Sequence, residues 1–216
     1  MYEVIEDATH LHNPISNQIY LIFEYISGGP IVSLNEEGKC DPKEILPESQ
    51  AKHVMVQIVD GLIYLHKHKV IHRDIKPDNI LITADNVVKI CDFGSSKVLT
   101  SQEDFLQTSQ GTMMFYPPEA CTGQGQFSGT FADVWALGAT LYTYVFGQCP
   151  FYAPTVPALF ERIKNQELEF LQDISVSPQL KNLLTRMLRK QVGERIDLNQ
   201  IRDHPWLKSA GKQVFT

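Results

Sequence analysis

The chain has 216 residues, 43% of them hydrophobic and 20% charged, with a formal net charge of −6. That length holds one substantial core with room for a small second lobe, and the composition is that of an ordinary folded protein. The acidic balance argues against a nucleic-acid or anionic-membrane partner.

In chain order, the acidic start Met1–Asp7 lacks the basic region and apolar core of a secretion signal, so a cytoplasmic address is expected. Ile19 to Tyr25 is β-branched and aromatic and reads as a strand, with Met1 to Ile5 as its candidate partner. Ser27-Gly28-Gly29-Pro30 breaks that pattern and marks a linker. Pro47 stands where a helix begins, and Val54, Ile58, Leu62 and Leu65 follow at helical spacing to about Lys67. Next comes His72-Arg73-Asp74, with Asn79 five positions after the Asp. Two short strands, Ile80–Ile82 and Val87–Ile90, are joined by the turn residues Ala84-Asp85-Asn86 and lead into Asp92-Phe93-Gly94.

Ser95 to Gln110 is polar and aperiodic and reads as a mobile loop, closed by Gly111-Thr112 and Pro117-Pro118-Glu119. Its hydroxyls at Ser101, Thr108 and Ser109 are either phosphorylation sites or plain solvated groups. Gly123-Gln124-Gly125 with Gly129 has the spacing GxGxxxG rather than that of a phosphate loop and reads as surface loop. Asp133 to Phe146 is apolar nearly all round, which predicts a buried helix too short to span a bilayer. Thr140 and Thr143 can bond back to its preceding turn. Ser177 and Pro178 open a further helix whose stripe Leu180, Leu183, Leu184, Met187 and Leu188 is core. A last short helix is expected from about Leu198 to Arg202, before His204-Pro205-Trp206.

The four cysteines, Cys40, Cys91, Cys121 and Cys149, are scattered without a CxxC pair, so free thiols are expected rather than a zinc site or disulfides. His10-Leu11-His12 and His66-Lys67-His68 have no Cys or acidic partner at metal spacing and read as surface histidines.

The segment from His72 to Gly94 carries chemistry. His-Arg-Asp with an Asn five positions on, followed by Asp-Phe-Gly, is the pair of signatures of the protein kinase catalytic and metal-binding loops. With Pro117-Pro118-Glu119, Asp133-Val134-Trp135, Phe146-Gly147-Gln148-Cys149-Pro150-Phe151 and His204-Pro205-Trp206, the chain resembles the eukaryotic protein kinase family over nearly its whole length. Lys76 and Gly111-Thr112 resemble the serine/threonine branch, and Tyr20–Glu24, Gly29-Pro30 and Phe127-Ser128-Gly129 resemble calcium/calmodulin-dependent kinase kinases and similar upstream kinases.

The resemblance implies ATP and Mg²⁺ as cofactors, Asp74 as the base that accepts the proton of a substrate hydroxyl, and Lys76 as the charge beside the transferred phosphoryl group. Asn79 and Asp92 would supply hard oxygens to Mg²⁺. Thr112 would hold the catalytic loop, and Arg73 would pair with an acidic or phosphorylated group in the loop that follows. Glu24 and Ile26 would line the adenine hinge, with Phe23 behind it and Leu81 beneath the ring. Glu119 would pair with Arg195, and Asp133 would anchor the catalytic-loop backbone. One triplet departs from the family pattern: Pro117 stands where Ala is usual, and the Glu is kept.

The family's glycine-rich loop, strand Lys and helix Glu have no counterpart before the hinge. The expected fold is therefore α+β: a mainly helical kinase C-lobe over residues 28–208, a remnant of the N-lobe sheet over 1–27, and a tail over 209–216. The expected function is transfer of the ATP γ-phosphate to protein Ser/Thr hydroxyls, with activation loops of downstream kinases among the substrates. As written, the chain is expected to be weak or inactive. The alternative is a non-catalytic scaffold docking through Phe151 to Phe170. Nine residues follow Leu207, too few for a calmodulin-binding helix, so neither calmodulin nor a nucleic-acid or membrane partner is expected.

Overall fold

The computed structural model describes residues 3–6, 19–99, 105–106, 110–123 and 125–209. Strands β1 (Glu3–Glu6) and β2 (Ile19–Ile22) pair antiparallel, with Val4 opposite Leu21 and Ile5 opposite Tyr20. The predicted strand partners are thus found, each confined to four residues. A 20-residue helix, α1 (Glu48–Lys67), starts one residue after Pro47 and buries Val54, Met55, Ile58 and Leu62. It leads to β3 (Val70–Ile71), β4 (Ile80–Ile82), β5 (Val88–Ile90) and β6 (Lys97–Val98). β4 pairs with β5 and β3 with β6, both antiparallel, so the His72–Asn79 loop and Asp92-Phe93-Gly94 emerge side by side.

The segment leaving β2 lies along the open edge of β4. Ile82 donates to the Gly29 carbonyl at 3.0 Å and Ile31 to the Ile80 carbonyl at 3.1 Å. Only glycine fits at the approach, because a Cβ on Gly28 would stand 2.1 Å from the Ile82 carbonyl oxygen. Gly28→Ala is expected to force this strand-like contact apart and to cost about 1–3 kcal/mol, the usual range for overpacking. Denaturant unfolding reads this out, and an unchanged midpoint would contradict the close approach.

Within the predicted mobile loop, β7 (Phe105–Leu106) pairs with β8 (Phe127–Ser128), and Leu106 is only 2% exposed. The polar surroundings of this dipeptide hid a docking point, so that part of the prediction fails. Ser101, Thr108 and Ser109 lie outside the described residues, as do His10 and His12.

Helix α2 (Gly129–Phe146) is buried on all sides, as its composition predicts. Thr140 and Thr143 donate to the carbonyls of Ala136 and Ala139, each at 2.9 Å, which lets two hydroxyls enter the core satisfied. Gly147 ends the helix in the left-handed region, φ 71°. Around α2 pack α1, α3 (Val156–Asn165) and α4 (Pro178–Met187), followed by α5 (Leu198–Arg202) and α6 (Pro205–Lys208). Ser177 caps α4 and its predicted stripe is core. The Phe151–Phe170 stretch is not a docking face as a whole: Phe151, Leu159 and Ile163 are buried in the same core. Among the described residues no helix is long and apolar enough to cross a membrane.

Glu48 ties three elements together. It accepts from Trp206 Nε1 at 2.6 Å, from the Ser177 N–H at 2.8 Å and from the Ser177 hydroxyl. Partial burial opposes its charge, but these donors outweigh burial and hold its carboxyl below the ordinary glutamate range. A depressed folded-state pKa means that the stabilisation is fully present above the unfolded value of about 4.3 and fades as pH falls through the folded one. Glu48→Gln is therefore expected to be less stable than the parent at pH 7, with the gap narrowing towards pH 3 in thermal melts. A gap independent of pH would show that the charge is immaterial.

Candidate active site

The loop after β3 begins with two backbone N–H groups aimed at one carboxylate. Asp133, fully buried on the first turns of α2, accepts from His72 N at 3.0 Å and from Arg73 N at 2.9 Å. This clamp holds Arg73 at φ 68°, a left-handed conformation that a branched-free but bulky residue adopts only when its surroundings impose it. His72 donates through Nε2 to the Cys91 carbonyl at 3.0 Å and accepts the Asp74 N–H at Nδ1. Its ring meets Phe93 edge-on, centroids 5.1 Å apart. The two motifs are thereby locked to each other.

Beyond the clamp, four of the predicted site residues converge. Asp74 Oδ1 accepts the Thr112 N–H at 2.8 Å, and Oδ2 faces Asn79 Nδ2 and Lys76 Nζ, each at 3.1 Å. Lys76 Nζ also donates to the Thr112 hydroxyl at 2.8 Å, and Asn79 Nδ2 to the Asp74 carbonyl at 2.8 Å. Burial disfavours the Asp74 charge, yet the Thr112 N–H and Lys76 outweigh it and hold the carboxyl below the usual aspartate range. The turn at Gly111 is tight: at φ 102°, a Cβ there would lie 2.6 Å from the Arg73 carbonyl oxygen and 2.7 Å from Asp74 Oδ1. The site therefore presents an ionised carboxylate, an ammonium beside it and a hydroxyl shared between loops.

The protein kinase domain family matches residues 1–207. The chain belongs to the protein kinase family. It is 38% identical over 208 residues to the serine/threonine-protein kinase GRIK2 of Arabidopsis thaliana, covering 96% of this chain and 48% of that protein. It is also 38% identical to the serine/threonine-protein kinase stk11 homolog of Dictyostelium discoideum, covering 94% of this chain and 34% of that protein. With TOS3, a serine/threonine-protein kinase of Saccharomyces cerevisiae, the identity is 36% and the cover 97% and 42%. The chain thus spans half or less of the length of these relatives.

The kinase chain's donor set suits Mg²⁺. Asn79 turns its amide nitrogen inward to Asp74, and its Oδ1 takes no hydrogen bond from any described residue. Asp92, in the left-handed region at φ 61°, uses Oδ1 for the Gly94 N–H at 3.2 Å and is otherwise exposed. The Cys91 N–H joins the Asn79 carbonyl at 2.9 Å, which keeps the two side chains on neighbouring strands of backbone. One carboxylate and one amide oxygen are a small set, and among the described residues no cluster of three metal-ligating His, Cys, Asp or Glu side chains exists. Mg²⁺ bound together with substrate phosphates needs no larger set.

The residues expected to line an adenine hinge make no contact with this cluster. Glu24 pairs with Lys89 at 3.1 Å on the surface, Ile26 is half-buried, and Leu81 on β4 bridges to Pro30. Glu119 and Arg195 form a two-pronged pair at 2.7 and 2.9 Å.

His66 corrects a sequence expectation. It is no surface histidine: it donates from Nε2 to Asp133 Oδ2 at 2.8 Å, and its side chain is 11% exposed. His68, two residues on, is exposed as expected. The signal lay in spacing that only the fold reveals, since His66 and Asp133 are 67 positions apart.

Proposed function

We propose that the protein containing this chain is a serine/threonine kinase that transfers the γ-phosphate of ATP to protein hydroxyls. The observation that carries this reading is the convergence of Asp74, Lys76, Asn79 and Thr112 around one carboxylate. Asp74 orients the incoming Ser or Thr hydroxyl and takes up its proton as the oxygen bonds to phosphorus. Lys76, already beside Asp74, offsets the negative charge of the phosphoryl group in transit. Asn79 and Asp92 would hold Mg²⁺, which would supply positive charge against the phosphates. Leu81, Glu24 and Ile26 form the adenine side, and Arg73 connects the loop to the activation segment.

The finer reading makes it a cytoplasmic upstream kinase whose substrates include the activation loops of other kinases. It rests on the subfamily resemblance of Tyr20–Glu24 and Phe127-Ser128-Gly129. Within these residues no glycine-rich loop and no strand Lys precedes Glu24, and taken alone they are expected to transfer phosphate weakly.

The test uses Mg-ATP and a mixture of kinase-domain substrates, with the chain alone and with a version carrying the complete upstream lobe. Phosphoserine and phosphothreonine formed only by the longer version support the reading, and no transfer by either overturns it. A second reading, a non-catalytic binding module, is favoured by the apolar side chains displayed beside β2: Phe23 is 58% and Tyr25 88% exposed. Failure of the longer version combined with specific retention of a kinase in pull-downs would move that reading to first place.

A further inference from the structure

The Arg73 side chain is held by neutral groups through Nε and Nη2. Its Nε donates to the Ser95 carbonyl, and Nη2 donates to the Ser96 carbonyl at 3.4 Å and to Gln110 Oε1 at 2.8 Å. Ser95 and Ser96 begin the segment that follows Asp92-Phe93-Gly94, and Gln110 ends it. One guanidinium therefore staples both ends of the segment. Among the described residues, no carboxylate is ion-paired with it: Asp133, the acid nearby, spends its oxygens on His66 and on the His72 and Arg73 N–H groups.

Gln110 directly precedes Gly111-Thr112. The Gly111 backbone is pressed against the Arg73 carbonyl, and Tyr116 donates its hydroxyl to the Gly111 carbonyl at 3.3 Å. The Thr112 N–H, one peptide further, is the donor on Asp74 Oδ1. A shift of Gln110 away from Arg73 is therefore transmitted through two short, crowded peptides to the carboxylate. An amide oxygen accepts from guanidinium as a neutral partner. It gives up the stronger charge-assisted pairing of a carboxylate or phosphate, but it needs no modification to be present.

Building on the kinase reading of Asp74, we infer that Gln110 is a positioning residue: it sets Thr112 on Asp74 through Arg73 without any phosphate on the segment. The lock is built into the unmodified chain. Gln110→Ala removes the acceptor, whereas Gln110→Glu keeps it and adds charge.

The experiment is amide hydrogen exchange on the phosphatase-treated chain, with intact mass confirming the unmodified 24.5 kDa protein. The Thr112 amide is expected to be protected in the unmodified parent, to exchange about tenfold faster in Gln110→Ala through local opening, and to return to slow exchange in Gln110→Glu. The Leu137 amide inside α2 serves as the internal reference and stays slow in all three. Fast exchange of Thr112 in the unmodified parent, slowing only after phosphorylation, would overturn the inference, as would equal exchange in parent and Gln110→Ala. Should Gln110→Ala also loosen Leu137, Gln110→Met, which keeps the chain length without the acceptor, decides between the same two outcomes. Phosphotransfer by the longer version is scored separately. Its absence with the protection pattern intact counts against the kinase reading, and its presence with an unaffected Gln110→Ala counts against the lock.

Discussion

Replacing Arg195 with Met is expected to destabilise the chain by about 3–5 kcal/mol, the range for removing one partner of a buried ion pair. The guanidinium has no exposed side-chain surface, and the Glu119 carboxylate is 16% exposed. Each of its three nitrogens donates. Nη1 donates to Glu119 Oε1 and to the Phe131 carbonyl at 2.9 Å, Nη2 to Glu119 Oε2, and Nε to the Arg189 carbonyl at 3.1 Å. The plane also lies over Trp135, 5.1 Å from its centroid. Met fills much of the volume but leaves an unpaired carboxylate in a nearly dry place and takes a donor from the Phe131 and Arg189 carbonyls. For a chain of this size that corresponds to a melting point lower by roughly 2–4 °C per kcal/mol. Arg195→Lys is expected to recover only part, because an ammonium cannot serve Glu119 in two-pronged geometry while also reaching the carbonyls of Phe131 and Arg189. The discriminating measurement is a double-mutant cycle with Glu119→Gln. Removing both charges should cost clearly less than the sum of the single changes. Strict additivity would mean that the pair is no unit, and a loss under about 1 kcal/mol, the upper end for surface pairs, would mean that it behaves like one of those.

How much of this was legible beforehand differs from element to element, for physical reasons. Local signals were reliable. The helical spacing of Val54, Ile58 and Leu62 gave α1, the Ser177-Pro178 start gave α4, and the all-round apolar run gave the burial of α2 with Thr140 and Thr143 bonding inward. The positions of Asp74, Asn79 and Asp92 were readable because the motif packs its polar groups into a short stretch. What escaped were long-range contacts that no motif announces, whereas the Glu119–Arg195 pair and the Asp133 anchor, equally distant in sequence, were readable from their motifs. Leu106 is one apolar residue in a polar loop, and only the approach of Phe127-Ser128 turns it into a buried strand residue. His66 stands in a pattern, His-Lys-His, that looks like a surface run, and Asp133 pulls its first member inward. α3 stands in a stretch whose apolar positions, Leu159, Phe160 and Ile163, read equally as a docking face, and only the fold turns Leu159 and Ile163 into core. The Arg73–Gln110 contact leaves no trace in the sequence at all, since a glutamine before a Gly-Thr pair has no propensity that announces a guanidinium partner.

Asp74→Ala in a version with the complete upstream lobe is expected to lower turnover by about 10²–10⁴-fold, the usual contribution of a general base. At 1.36 kcal/mol per factor of ten, that is about 3–5 kcal/mol of barrier. The loss should fall on turnover, with ATP binding nearly unchanged, because Asp74 is engaged by Thr112 and Lys76 and makes no contact with Glu24, Ile26 or Leu81. Asp74→Asn keeps an oxygen for the Thr112 N–H but turns an amide donor towards Asn79 Nδ2 and Lys76 Nζ, so it is expected to lose nearly as much activity. The pH dependence carries a further check. The Asp74 carboxyl is held low, so its base form persists above the lowered folded-state value and is lost only as pH falls through it. The acid limb of the rate profile due to this group is thus expected below the ordinary aspartate value of about 3.9. Lys76→Met removes the ammonium 3.1 Å away and should move that limb upward, alongside its own loss of charge at the phosphoryl group. Full activity in Asp74→Ala would remove Asp74 from the mechanism. A limb that stays in place in Lys76→Met would show that the neutral donors, the Thr112 N–H and Asn79 Nδ2, suffice to hold the carboxylate charged.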